Sequence, residues 1–129
     1  MWFNIVMIIL IAALLGLLMA QRQQAKKSVQ LLNESDFLAN MRKGQLVDLR
    51  KAAEFEEGHI NGAKNIPAAL MSRSVNRFRK DQPIYLYDTK GKSVRNVAML
   101  LKGKGHEQIF ALEGGIEGFS GTLRQKRQK

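Results

Sequence analysis

Residues Ile84–Leu101, IYLYDTKGKSVRNVAMLL, constrain this chain more than any other stretch. Four apolar residues read as a buried strand. A six-residue loop with one glycine follows, and then apolar positions recur at helical spacing. A strand that passes through a short loop into a helix gathers loop amides and free helix N–H groups at one spot, a cradle for an anion. Enzymes place nucleophiles there, and this chain places Asp88 there.

The rest of the chain repeats the alternation. Val29–Leu32 reads as a strand. Asn33 or Ser35 can cap a short helix running to about Arg42, with Phe37, Leu38 and Met41 on one side and Gly44 as its stop. Strands follow at Leu46–Leu49 and Ala63–Ile66, separated by a helical turn over Ala52–Glu57 that ends at Gly58. Pro67 is placed to open a helix at its first position, running to about Phe78. Ser93–Lys102 is an amphipathic helix with Val94, Val97, Ala98 and Leu101 on one face, and Gln108–Leu112 is the last strand. Strands alternating with helices predict a parallel sheet covered on both faces.

Trp2–Ala20 is different. It is apolar except for Asn4 and carries no charged side chain. As a helix it spans roughly 28 Å, close to the hydrocarbon thickness of a bilayer. No Lys or Arg precedes it, and Leu18-Met19-Ala20 makes a poor cleavage site, which argues against a removed signal peptide. Trp2 and Phe3 sit where an interfacial aromatic belt belongs, and Gly16 alone does not make a helix-pairing motif. Arg22, Lys26 and Lys27 follow directly, so the bias of positive charge predicts a single-pass anchor with the remainder of the chain cytoplasmic. The same three cations are placed to contact anionic lipid.

The formal net charge is +10, and there is no cysteine. Disulfides, thiolate metal sites and thiol nucleophiles are therefore excluded. His59 and His106 are the only histidines, and neither stands at metal-ligand spacing from another ligand, so no metal is expected. Arg73, Arg77, Arg79 and Lys80 cluster after Pro67, and Arg124, Lys126, Arg127 and Lys129 close the chain. Without aromatic platforms among these charges, the expectation is contact with an anionic membrane leaflet and not with nucleic acid.

Three blocks carry a resemblance. The first is Leu46-Val47-Asp48-Leu49-Arg50. The second is Glu54-Phe55-Glu56-Glu57-Gly58-His59-Ile60-Asn61-Gly62-Ala63-Lys64-Asn65-Ile66-Pro67, and the third is Leu112-Glu113-Gly114-Gly115-Ile116. In this order they resemble the signatures of the rhodanese-like domain family across Val29–Gly121. The resemblance implies an α/β fold, a five-stranded parallel sheet with helices on both faces. Together with the apolar run and the flanking charges, it divides the chain into an anchor over 1–21, a basic linker over 22–28, the domain over 29–121 and a basic tail over 122–129. The resemblance marks Asp48, Arg50, His59, Gly62, Ala63, Pro67, Gly114 and Gly115 as structural motif residues. Asp48 and Arg50 can pair with each other or with Glu54, and the resemblance implies a structural ion pair there and a hydrogen-bonded loop anchor from His59; no cofactor is expected. Tyr85 and Tyr87 are expected in the core with their hydroxyls at its rim, and Glu113–Gly115 should turn beneath the site loop.

Two departures stand out. Asn61 occupies a position where the family usually has proline. More consequentially, rhodaneses carry a catalytic cysteine directly after the central strand, in a loop of the form Cys-x-x-Gly-x-Arg. Here the loop is Asp88-Thr89-Lys90-Gly91-Lys92-Ser93, with aspartate for cysteine and serine for arginine. Sulfur transfer needs a thiolate that can hold a persulfide, and a carboxylate cannot form one. Three readings of Asp88 remain open. Its carboxylate takes the loop N–H groups and fills the cradle from within; or it caps the loop with no role in binding; or it is itself a nucleophile toward a phosphoryl or other anionic substrate. The first two make a non-catalytic module that binds a protein or lipid partner at the cytoplasmic face. The third makes an enzyme with cysteine-free chemistry.

Overall fold

In the computed structural model, residues 1–27 and 29–125 are described, the side chains of 22–27 excepted. The expected contacts of Arg22, Lys26, Lys27, Lys126, Arg127 and Lys129 therefore lie outside the described residues. Helix α1 runs Trp2–Lys27, so helix continues through most of the expected linker. Its Trp2–Gln21 portion is long and apolar enough to cross a membrane, and none of it is buried against protein.

The remainder is one five-stranded sheet. Its strands are β1 (Gln30–Leu32), β2 (Gln45–Asp48), β3 (Lys64–Asn65), β4 (Ile84–Tyr87) and β5 (Ile109–Leu112), in the order β1-β5-β4-β2-β3. Every pairing is parallel, with Leu46 opposite Tyr85 and Tyr85 opposite Phe110. The central β4 is buried at all four positions, as a strand covered on both faces must be. Alternate residues point to opposite sides, so β4 divides the core. Ile84 and Leu86 join Met71, Val75, Val94, Val97, Ala98 and Leu101 on one face. Tyr85 and Tyr87 join Phe37, Met41, Leu112 and Ile116 on the other.

Helix α2 (Glu34–Asn40) starts where Asn33 accepts a hydrogen bond from the Asp36 amide at 2.8 Å, which settles the choice of cap in favour of Asn33 over Ser35. A 3-10 turn over Met41–Lys43 carries the chain to Gly44. Helix α3 (Ala52–Glu57) and helix α5 (Val94–Gly103) match their periodicity.

The helix expected over 67–78 is not one helix. Pro67 is extended (ψ 142°) and precedes a 3-10 turn over Ala68–Leu70. Helix α4 (Met71–Ser74) and a second 3-10 turn over Val75–Arg77 complete the segment. The chain breaks at Leu70 and Ser74, both with ψ of 0°. These breaks let Met71 and Val75 follow the twisted sheet into the core while Leu70 stays exposed. Within the segment expected as a tail, Arg124 pairs with His59 in an antiparallel bridge, and its guanidinium donates to Asn61 Oδ1 at 2.8 Å.

Candidate functional site

The site is the loop between β4 and α5. Asp88 leaves the end of β4 and is buried. One carboxylate oxygen accepts the Gly91 amide, and the other accepts the Ser93 amide at 2.7 Å. Gly91, at φ +89°, makes the reversal that turns both amides inward, a conformation other residues adopt at a cost. The two N–H groups that would greet an incoming anion are thus taken by the protein's own carboxylate.

The loop is held from below by the turn after β5. The Ile116 amide donates to the Asp88 carbonyl at 2.8 Å, and the Glu117 amide donates to the Thr89 carbonyl at 3.0 Å. Gly114 and Gly115, at φ +75° and +72°, shape that turn. The mouth above is a shallow cleft of about 270 Å³ lined by Arg50, Lys51, Glu54, Thr89, Lys90 and Lys92 among others. Thr89 donates its hydroxyl to Glu54 at 3.2 Å across it.

Beside the cleft, Asp48 and Arg50 pair at 2.8 Å, with the Asp48 side chain wholly buried. Asp48 also accepts the Arg50 amide at 2.8 Å, and the Arg50 guanidinium donates to the Gly58 carbonyl. The guanidinium lies 5.9 Å from the centroid of the Tyr87 ring. Contrary to expectation, the Tyr87 hydroxyl is not at the rim. It is inside, accepting the Ile60 amide at 3.0 Å. Burial, and then the nearby Asp48 carboxylate, push its pKa well above the usual phenol value.

His59 hydrogen-bonds the Phe55 carbonyl at 2.8 Å and stacks on the Phe55 ring with centroids 3.8 Å apart. Gly62 (φ +92°) and Ala63, whose amide donates to the Ile60 carbonyl at 3.0 Å, turn the chain into β3. Pro67 then leads it away. None of these residues lines the cleft over the Asp88 loop. Sequence reasoning passed over Asn65, whose side-chain amide spans the Asp48 and Arg50 carbonyls at 3.2 and 2.9 Å. The one available hint was its place inside the Ala63–Pro67 run. The Glu54–Thr89 contact, between residues 35 positions apart, had no local signal. Among the described residues, no three His, Asp or Glu side chains converge as a metal site would require.

The Rhodanese-like domain pattern matches residues 33–122. The chain belongs to the rhodanese-like family. Protein YqhL of Bacillus subtilis is 34% identical over 124 residues, covering 96% of this chain and 98% of its own. Protein YibN of Escherichia coli is 30% identical over 116 residues, covering 86% and 81%. The thiosulfate sulfurtransferase GlpE of Shewanella oneidensis is 31% identical over 72 residues, covering 56% of this chain and 71% of its own. In structure, the rhodanese-related protein of Thermoplasma volcanium superposes with a TM-score of 0.70 at 20% identity, over 75% of this chain and 99% of that one. The rhodanese-like fold is therefore intact around a loop that lacks the cysteine.

Proposed function

We propose that this chain is a membrane-anchored rhodanese-like domain that works as a binding or regulatory module and not as a sulfurtransferase. The observation that carries this reading is the Asp88 carboxylate, which occupies the cradle with both oxygens hydrogen-bonded to loop amides. A buried carboxylate held in this way is a poor nucleophile, and it cannot carry a sulfane sulfur. The anchor is Trp2–Gln21, and the domain sits at the cytoplasmic face with a protein partner. A fold can outlive its chemistry, and the surface then serves recognition.

The test is thiosulfate:cyanide sulfur transfer, with phosphatase turnover beside it, on the full chain and on Asp88→Ala and Asp88→Cys. Native protein should be silent in both assays. Sulfur transfer that appears only with Asp88→Cys means a preserved scaffold without its nucleophile. Native turnover that Asp88→Ala abolishes would overturn the proposal.

A further inference from the structure

The charge of this protein is not spread evenly. Residues 62–105 hold ten Lys or Arg against two Asp, which accounts for eight of the ten net positive charges. Neither Asp offsets them at a distance. Asp88 is buried in its loop, and Asp81 is paired with Arg79 at 2.6 Å. This segment contains α4 and α5, the helices that cover one face of the sheet. Arg73, Arg77, Arg95, Lys102 and Lys104 are all exposed on it. On the opposite face, α2 and the two 3-10 turns over Met41–Lys43 and Ile116–Gly118 hold Glu34, Asp36 and Glu117 beside Arg42 and Lys43, so charges of both signs balance there more nearly.

Apolar groups stand among those cations. Beyond Met1 and α1, the large exposed hydrophobic side chains are Leu31, Leu70, Met99 and Leu123 among the described residues. Leu70 directly precedes α4 and Met99 is on α5, at 47% and 45% exposure. Leu31 lies on β1, two positions from the core residue Val29 and on the same side of the strand. Helix α1 (Trp2–Lys27), whose Trp2–Gln21 portion is the candidate membrane span, contacts α5.

We infer that the α4–α5 layer is a second membrane contact, a face that lies on anionic lipid headgroups beside the anchor. The inference rests on α1 being that anchor. Cations with protruding apolar side chains suit the boundary between headgroup and acyl chain, where each cation adds about fivefold to the docked population. Because α5 touches the helix that would carry the anchor, it is held on the membrane-proximal side of the domain, and attraction to anionic lipid acts over a screening length of about 8 Å at physiological salt. Docking there leaves the α2 side, of mixed charge, turned away from the lipid.

The chain has no cysteine, so single reporters can be placed cleanly. Met99→Cys and Glu117→Cys, both at exposed positions, take a polarity-sensitive fluorophore in the full chain. Each is reconstituted in nanodiscs of phosphatidylcholine alone or of phosphatidylcholine with phosphatidylglycerol in equal parts. The Met99 probe should shift to the blue and be quenched by lipid-borne quencher only in the anionic discs. The Glu117 probe should not respond. Adding Arg73→Glu and Arg95→Glu, or 0.5 M salt, should reverse the effect. Probes that respond alike in both discs overturn the inference while leaving the anchor standing. Protection of Met99 by an acidic polypeptide or DNA, with none from anionic discs, also overturns it. A chain that does not co-migrate with discs at all fails earlier, at the anchor, and takes this face with it.

Discussion

Gly115 lies directly beneath the Thr89–Lys90 peptide: a Cβ at Gly115 would stand 2.5 Å from the Thr89 carbonyl oxygen and 2.6 Å from the Lys90 nitrogen. Backbone cannot yield there as the end of a flexible side chain can. Gly115→Ala combines that overlap with an unfavourable φ, two penalties of about 1–3 kcal/mol each. For a domain of this size the melting temperature should fall by roughly 10 °C or more. Gly114→Ala is the control. It shares the positive φ, but nothing lies within 4 Å of its Cβ position, so it should cost only about 1–2 kcal/mol. Thermal denaturation of the full chain in detergent, followed by circular dichroism, measures both; equal losses would contradict this account of Gly115.

Removing the Asp88 carboxylate should reopen the cradle. In Asp88→Ala the Gly91 and Ser93 amides lose their acceptors, which costs about 1–3 kcal/mol for each amide that water does not reach. The same amides become available to an oxyanion. Calorimetric titration with phosphate or thiosulfate should show no heat of binding at this loop for the native chain and weak, saturable binding for Asp88→Ala. Native binding as tight as that of the variant would mean the loop is not self-occupied.

The Asp48–Arg50 pair is a stability element beside the site. Asp48→Ala leaves the mostly buried Arg50 guanidinium without its carboxylate, and it removes the acceptor for the Arg50 amide. Breaking a buried pair by deleting one partner costs about 3–5 kcal/mol. The urea midpoint of the domain should drop accordingly. A change under about 1 kcal/mol would show that the pair is solvated in solution.

His106 links stability to pH. Its ring is buried, and Nδ1 has no hydrogen-bond partner among the described residues. Burial first, and then the Lys80 charge, lower its pKa below 6.5, against a smaller opposing effect of the Val75 backbone. The unfolded chain therefore takes up this proton at a higher pH than the folded one does. Its contribution to stability is complete above about pH 6.5 and is lost as the pH falls through the interval below that value. Urea midpoints between pH 5 and pH 8 should decline on the acid side, and His106→Gln should flatten that part of the curve. A native midpoint as flat as the variant's would remove His106 as the cause.

Much of the fold was legible because its signals are local. Apolar runs marked β2, β4 and β5, and three- and four-residue spacing marked α5, each within two residues of its observed limits. The 67–78 segment misled because Pro67 fits a helix start equally well from outside the first turn. Only packing along a twisted sheet shows that the chain must break at Leu70 and Ser74. Tyr87 misled for a related reason: strand alternation tells which way a side chain points, but not that a loop from Ile60 closes over its hydroxyl.

The sequence by itself determined the alternating α/β order, the apolar N-terminal helix and the absence of sulfur at the site loop, because composition and periodicity are properties of neighbouring residues. Tertiary structure alone decided where the Asp88 carboxylate points, that Gly115 must pass under Thr89, that Arg124 returns to His59, and that α4 and α5 cover the same face of the sheet. Those facts depend on approaches between segments far apart in the chain. Such approaches are set by the joint packing of the sheet and its helices, which no local window of residues contains.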